Sequence, residues 1–294
     1  MQSKTIAVIG GINRDEIRMV DGTLRRGWGG ILYNITALRK YGSPNLTIYP
    51  IAFVGRDATT PVGHWLNGLP GVDCSGLIPL NRKGNLCKLR YRDAQSRDER
   101  LLHVVPSLKF SHVPPALGAD IILMNFISGS DISHTAFERL RTEFDGPIYL
   151  DIHSYLLGRH RDASRFSRRP KNWRRVLACA DFLQMNEIEF ATLSGTAPSP
   201  DSVRNWARSV LTPLRCRCLL VTLGARGAFC AVRTGTGWKV NHCPAGPRPR
   251  GADPTGAGDV FAGAWIASWL DGQDPVKATR AAARIAARHL VMDV

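Results

Sequence analysis

Acidic side chains are scarce in this chain: 24 of its 294 residues are Asp or Glu, against 39 Lys and Arg, for a formal net charge of +15. A positive field of that size attracts nucleic acid, an anionic surface or a phosphorylated small molecule. Lysine is scarce too, 8 against 31 arginines. The densest basic stretch, residues 159–175 (RHRDASRFSRRPKNWRR), interleaves Phe166 and Trp173 with its charges and has the make-up of a phosphate-tracking patch. It is also what arginine-rich usage gives anywhere, and charge runs usually mark a solvated face. The expectation is a mostly solvated segment, dispensable for catalysis, with nucleic acid not a specific partner. Long hydrophobic runs are absent: nothing approaches the ~20 apolar residues that cross a bilayer. No basic-then-apolar leader opens the chain either. Both point to a cytoplasmic protein with no membrane association. Cysteine lacks a pattern: there are seven, an odd number, with no matched C-x-x-C pairs. Cys216 and Cys218 would share one face of a strand. The histidines and cysteines are too scattered to converge on zinc, and thiols in a reducing compartment are the simpler reading.

What is present is ordinary globular material, 44% apolar and 21% charged, long enough for one large domain with a sizeable core. Short apolar runs at 6–9, 48–54, 121–126, 148–152, 182–185 and 218–223 read as buried strands. Helical patterns at 31–41, 132–144, 173–180, 187–194, 203–211 and 275–291 separate them. Continuous apolar strands alternating with helices imply an α/β fold: a mostly parallel central sheet covered by helices on both faces, with ligands beyond the carboxyl ends of the strands. One region breaks the rhythm. Cys87, Leu89 and Tyr91 alternate with Lys88, Arg90 and Arg92, and 99–105 follows after a polar turn. This predicts a small hairpin with one apolar and one basic face, and 14–20 could pair with it. Such a β flap (strands at about 14–20 and 85–105) would act as a lid or as a contact between two copies.

The stretch 243–254 is a Pro/Gly-rich loop that runs into Asp253-Pro-Thr-Gly-Ala-Gly-Asp259, followed by VFAGAWIASWL and Gly272. Glycines opening a long apolar helix leave the amides of Gly256, Ala257 and Gly258 at the positive end of the helix dipole, where phosphate binds. Asp259 beside that anion would accept a proton from an attacking hydroxyl. Spacing alone equally allows a carboxylate that merely compensates the dipole. Asp151-Ile-His153-Ser154 lies at a strand end; His153 could touch substrate, though a satisfied loop histidine is the simpler reading.

These motifs resemble the ribokinase-like (PfkB) carbohydrate kinases over residues 5–290. DPTGAGD with FAGA resembles the family's C-terminal signature. Gly10-Gly11-Ile-Asn13-Arg-Asp15 resembles the first-strand segment whose Asn and Asp hold substrate hydroxyls. Gly29-Gly30-Ile-Leu-Tyr-Asn34 resembles the di-glycine motif that contacts the sugar through its backbone and Asn. Asn186-Glu187-Ile-Glu189 resembles the N-x-x-E motif that orders Mg²⁺ and phosphate through water, and Val221-Thr222-Leu223-Gly224 with Gly227 resembles the turn near the nucleotide. The resemblance implies a single ribokinase-like three-layer domain, 1–294, with a β lid. It also implies ATP-dependent phosphorylation of a hydroxyl on a sugar, cyclitol or nucleoside. Its implied site is Asp259 as base, Gly256, Ala257 and Gly258 as anion hole, and Asn13, Asp15, Gly29, Gly30 and Asn34 on the substrate. Asn186, Thr222, Gly224 and Gly227 would hold the nucleotide, and Glu189 a metal through water. Expected partners are ATP, Mg²⁺ and a small alcohol, with a homodimer through the lid as a further expectation. Two departures stand out. Ile31, Leu32 and Tyr33 follow the di-glycine pair and imply a more apolar pocket. The chain also ends at Val294, where family members usually continue beside the nucleotide and a monovalent cation, which counts against cation activation and tight adenine binding without deciding either. A kinase-like protein without turnover, binding nucleic acid through its basic surface, is the alternative reading.

Overall fold

The computed structural model describes residues 3–93, 96–247 and 255–289. Asp253 and Pro254 of the glycine-rich motif lie outside them; the helix expected over 275–291 ends at Ala287, inside them. In chain order the strands are β1 (Lys4–Gly10), β2 (Ile12–Arg18), β3 (Leu24–Gly30), β4 (Leu46–Gly55), β5 (Leu77–Leu80), β6 (Asn85–Tyr91), β7 (Arg97–Leu102) and β8 (Ile121–Asn125). They continue as β9 (Ile148–Asp151), β10 (Leu157–Arg159), β11 (Arg165–Ser167), β12 (Phe182–Asn186), β13 (Cys218–Thr222), β14 (Ala228–Thr234) and β15 (Gly237–Cys243). The helices are α1 (Ile31–Tyr41), α2 (Thr59–Asn67), α3 (His134–Glu143), α4 (Trp173–Leu177), α5 (Glu187–Ser194), α6 (Pro200–Trp206), α7 (Ala257–Leu270) and α8 (Pro275–Ala287).

Nine strands form the central sheet in the order β15-β14-β13-β12-β9-β8-β1-β4-β5. Every neighbouring pair from β13 to β5 is parallel; β14 alone is reversed, pairing antiparallel with β13 and β15. The inner strands are apolar on both faces because both faces are covered. Along β1, Ile6 and Val8 enter one core while Ala7 and Ile9 enter the other, the period-2 alternation of a strand. Helices α1, α2, α7 and α8 cover the first face and α3 to α6 the second. This is a three-layer α/β architecture, as the motifs implied. Among the described residues no helix is long and apolar enough to cross a membrane.

Helix α7 is buried from Val260 to Ala267, and an all-round apolar helix must sit inside the protein. It lies against α1 because Gly263 has no side chain: a Cβ there would stand 2.8 Å from Ala37 Cβ and 2.9 Å from the Asn34 carbonyl oxygen. Trp265, fully buried, fixes it from within, its Nε1 donating to Thr279 Oγ1 of α8 at 3.0 Å.

A second sheet, β3-β2-β6-β7, stands beyond the end of β1. It has four strands where periodicity suggested a hairpin and a possible third strand; β2 runs parallel to β6, and β3 had given no strand signal because three of its seven residues are glycine. Ile17, Cys87, Leu89, Tyr91 and Leu101 form its buried face, while Lys88 and Arg90 are exposed. The basic segment 159–175 is mostly solvated, as expected, with one exception among its charged residues. Arg161, Arg168, Arg169, Arg174 and Arg175 are exposed, but β10 and β11 fold into a hairpin whose Ala163 carbonyl accepts from the Leu101 amide at 3.0 Å. That docking against β7 buries Arg165, whose side chain is 3% exposed.

Candidate active site

The carboxyl ends of five parallel strands lie side by side, with Gly10 opposite Asn125, Asn125 opposite Asp151, Asp151 opposite Gln184 and Asn186 opposite Thr222. Above them a cleft of about 1850 Å³ separates the sheet from the β2/β3/β6/β7 flap. Strand ends are where a doubly covered sheet leaves backbone and polar groups unburied, so this is where a ligand fits.

Helix α7 opens onto the cleft. Gly256, its N-cap, has φ +76°, a conformation glycine adopts without strain, and a Cβ there would lie 2.7 Å from the Tyr33 ring. The first-turn amides have no partner within the helix, and Gly256, Ala257, Gly258 and Asp259 all line the cleft. The Asp259 carboxylate is held in place: Asn125 Nδ2 donates to its Oδ1 at 2.7 Å, and Asn34 Nδ2 donates to its main-chain oxygen at 2.8 Å. Asn125 Nδ2 also reaches Asn34 Oδ1 at 2.9 Å. Burial pushes the Asp259 carboxyl above its ordinary range, opposed by His153 and by the Asn125 hydrogen bond. Dipole compensation asks only for a solvated carboxylate; a half-buried one, held by Asn125 and with a raised affinity for protons, is suited to accepting one.

A second network ties the neighbouring strand ends to the same turn. Gln184 Nε2 donates to Asp151 Oδ2 at 2.7 Å and to the Gly258 carbonyl at 3.0 Å, while the Tyr149 hydroxyl donates to Gln184 Oε1 at 2.5 Å. Asp151 is raised well above a normal carboxyl, by burial first and by Glu189 and Asp259 next. Asn186 caps α5, its Oδ1 accepting from the Ile188 and Glu189 amides at 2.9 Å each. Glu189 returns the contact, its Oε2 accepting from the Asn186 amide at 2.7 Å and its Oε1 from Asn186 Nδ2 at 2.6 Å. His153 Nδ1 lies 3.2 Å from the same Oε1. Burial disfavours charge on His153, but the Glu189 hydrogen bond with the Asp151 and Asp259 carboxylates outweighs it and lifts its pKa to about 9. The histidine is thus partnered by protein.

The capping box and the cleft wall are therefore the same residues. Among the described residues no group of three His, Cys, Asp or Glu side chains could cage a metal. Glu189 offers one hard carboxylate at the wall, already engaged by two Asn186 donors, which suits contact with Mg²⁺ through water better than direct ligation.

At the far end, Thr222 precedes a turn in which Gly224 has φ +57° and Gly227 φ +94°; a Cβ on Gly227 would meet the Cys243 carbonyl at 2.1 Å. Arg226 pairs with Glu187 and fastens this turn to α5. Asn186, Thr222, Gly224 and Gly227 face the cleft opposite Ala283 and Ala286 of α8. At the other end, Asn13 and Asp15 of β2 are buried and line the cleft with Gly30. Gly29 does not; a Cβ on it would lie 2.0 Å from Asp15 Oδ2, so its glycine makes room for that carboxylate. Asn34 is also absent from the lining. It is fully buried, with both amide atoms committed to Asp259 and Asn125, so it stands behind Asp259 and not against a ligand. The flap meets α7 through Tyr91, whose hydroxyl shares a 3.0 Å hydrogen bond with Thr255 Oγ1 and accepts from Arg97 Nη1 at 3.1 Å.

Sequence reasoning passed over Asn125, Gln184, Tyr91, Arg97 and Arg165. The readable signal for the first two was a polar residue inside an apolar run, IILMN and FLQMN, where burial demands a partner.

Residues 163–289 match the family model described as pfkB family carbohydrate kinase. The fold is similar to that of a pyrophosphate-dependent kinase in the ribokinase family, seen as a sulfate complex (TM-score 0.78, 16% identity, covering 96% of this chain and 94% of that one). It is also similar to Arabidopsis thaliana ribokinase complexed with ribose and ATP (TM-score 0.75, 18% identity, 97% and 92%). A third is Burkholderia thailandensis nucleoside kinase in complex with inosine (TM-score 0.72, 20% identity, 96% and 90%).

Proposed function

We propose that this chain, whose residues 163–289 match the pfkB family carbohydrate kinase model and whose fold is similar to that of ribokinase, is a phosphotransferase moving the terminal phosphoryl group of ATP to a hydroxyl of a small polyhydroxylated acceptor. Sugars, cyclitols and nucleosides are the candidate acceptors. The observation that carries this reading is the juxtaposition of Asp259 with the open first turn of α7 on one cleft wall.

In the proposed reaction the acceptor lies between β2 and the flap, with Asn13 and Asp15 binding its hydroxyls. Asp259 takes the proton as the acceptor oxygen bonds to phosphorus; the bond from phosphorus to the donor's bridging oxygen breaks, and the electron pair leaves with the donor. Amides of Gly256, Ala257 and Gly258 stabilise charge on the transferred oxygens, the dominant demand of phosphoryl transfer. Asn125 and Asn34 hold the base, and Gln184 fixes the turn through the Gly258 carbonyl. Asn186, Thr222, Gly224 and Gly227 face the donor's nucleoside end, with Glu189 holding Mg²⁺ through water. Mg²⁺, when bound, supplies Lewis-acid charge neutralisation on the phosphates. The flap serves as a lid, since Cys87, Leu89 and Tyr91 of its apolar cluster line the cleft and Tyr91 fastens it to Thr255.

The test is a matrix of donors and acceptors. Purified protein with ATP or with pyrophosphate is offered sugars, polyols, cyclitols and nucleosides, and ADP or orthophosphate release is followed with product identification by mass spectrometry. Acceptor-dependent ADP release with a phosphorylated product is expected. Release with pyrophosphate alone would correct the donor, and no acceptor-dependent transfer from either would overturn the reading.

A further inference from the structure

The flap and the β10–β11 hairpin bring two guanidinium groups to the acceptor end of the cleft, and among the described residues neither has a hydrogen-bonded carboxylate partner. Arg165 is 3% exposed; its Nη2 donates to the Ser154 carbonyl at 3.2 Å, and Glu99 Oε1 lies 3.9 Å from its Nη1, beyond hydrogen-bond reach. Its Nε and Nη1 are buried with no hydrogen-bond partner. Arg97, from β7, donates to the Tyr91 hydroxyl. Both arginines line the same cleft as Asn13, Asp15 and Asp259.

An unsatisfied cation inside a protein is costly, and the surroundings usually arrange to pair it. Here the Ser154 carbonyl takes only one of Arg165's donors. Two adjacent N–H groups of a guanidinium form a rigid fork that matches the two oxygens of a carboxylate or phosphate, a geometry lone hydroxyls do not complete. Asp15 and Glu99 stand in the same chamber but leave those N–H groups free. Resting on the kinase reading above, we propose that the natural acceptor carries an anionic group, carboxylate or phosphate, in addition to the hydroxyl it offers Asp259. That group seats on the Nε and Nη1 edge of Arg165, with Arg97 as the second cation. The acceptor class is therefore a sugar acid or a sugar phosphate, and Arg165 is its specificity residue.

The experiment compares aldonates and sugar phosphates (gluconate, ribose 5-phosphate, glucose 6-phosphate) with neutral counterparts (glucitol, ribose, glucose). Binding is followed by calorimetry and turnover by ADP release, for the wild type and Arg165→Gln. At least one anionic compound should bind about tenfold or more tightly than its neutral partner. Arg165→Gln should weaken that binding about 10- to 100-fold, the usual worth of a charge-assisted hydrogen bond, with a clearly smaller loss on neutral compounds. Response to gluconate alone assigns the carboxylate; response to the esters alone assigns the phosphate. Equal or better binding of neutral compounds, or equal losses on both classes in Arg165→Gln, would overturn the proposal. Should Arg165→Gln not fold, Arg97→Gln carries the same comparison, with the same selective loss expected. Anion binding lost in the variant but never followed by phosphorylation would leave the anion seat standing and remove the kinase reading. Turnover of neutral acceptors with no anion preference would do the reverse.

Discussion

Asp259 and Asn125 define the chemistry at the scale of single residues. Burial raises the Asp259 pKa, and the Asn125 amide works against that rise. A base must be deprotonated, so kcat/KM should fall on the acid side with an apparent pKa above that of an ordinary carboxyl. Asn125→Ala removes a group that favours the charged form, so the pKa rises further and the acid limb moves to higher pH. Activity near pH 6 should drop about tenfold, in line with a lost hydrogen bond to a charged group, and recover at alkaline pH. An unmoved limb in a pH–rate profile would show that Asn125 does not govern the base. Asp259 and its glycines were legible in the sequence because the chemistry needs bare backbone at a helix start, which only a few residue types supply. Asn34 was legible as a site residue but not as a support, because a motif names a position without saying which way its side chain turns. Arg165 was illegible: among so many arginines, nothing in the chain marks the one that folding buries.

Among the elements, α7 and α1 form the contact that sets Asp259 against Asn34. Gly263→Ala tests it cleanly, since helix propensity by itself favours Ala by about 1 kcal/mol. The added Cβ, however, would stand 2.8 Å from Ala37 Cβ and 2.9 Å from the Asn34 backbone oxygen, and overpacking typically costs about 1–3 kcal/mol. Urea denaturation should show net destabilisation of about 1 kcal/mol, together with lower kcat as Asn34 moves off Asp259. A more stable variant would mean that the two helices separate freely. The parallel strands and the helices between them could be read from apolar runs because both sheet faces are covered. The reversed strand β14 and its partner β15 could not, since each mixes buried and exposed positions at the sheet edge. Nor could β3, where three glycines in seven residues leave little strand propensity, so that it is a strand only through its hairpin pairing with β2.

Across the whole molecule, the excess of positive charge and the functional cleft are largely separate. Most of the 159–175 arginines face solvent, while the cleft balances Asp151, Glu189 and Asp259 against His153, Arg97 and Arg165. Net charge could therefore be read from the sequence, but its distribution could not. The central claim is that this cleft transfers phosphoryl groups with Asp259 as base, and Asp259→Asn tests it most directly. The substituted Oδ1 can still accept from Asn125, and the α7 amides belong to the backbone, so donor binding should be unchanged or slightly tighter. A carboxyl whose folded pKa is raised weakens the fold as pH climbs past its unfolded value. The variant should thus match the wild type in acid and exceed it at neutral pH by about 1 kcal/mol, the usual gain when a functional charge is relieved. With the best acceptor from the donor–acceptor matrix, kcat should fall about 10²- to 10⁴-fold, the typical loss of a general base. Near-wild-type kcat in a folded Asp259→Asn protein would contradict the account.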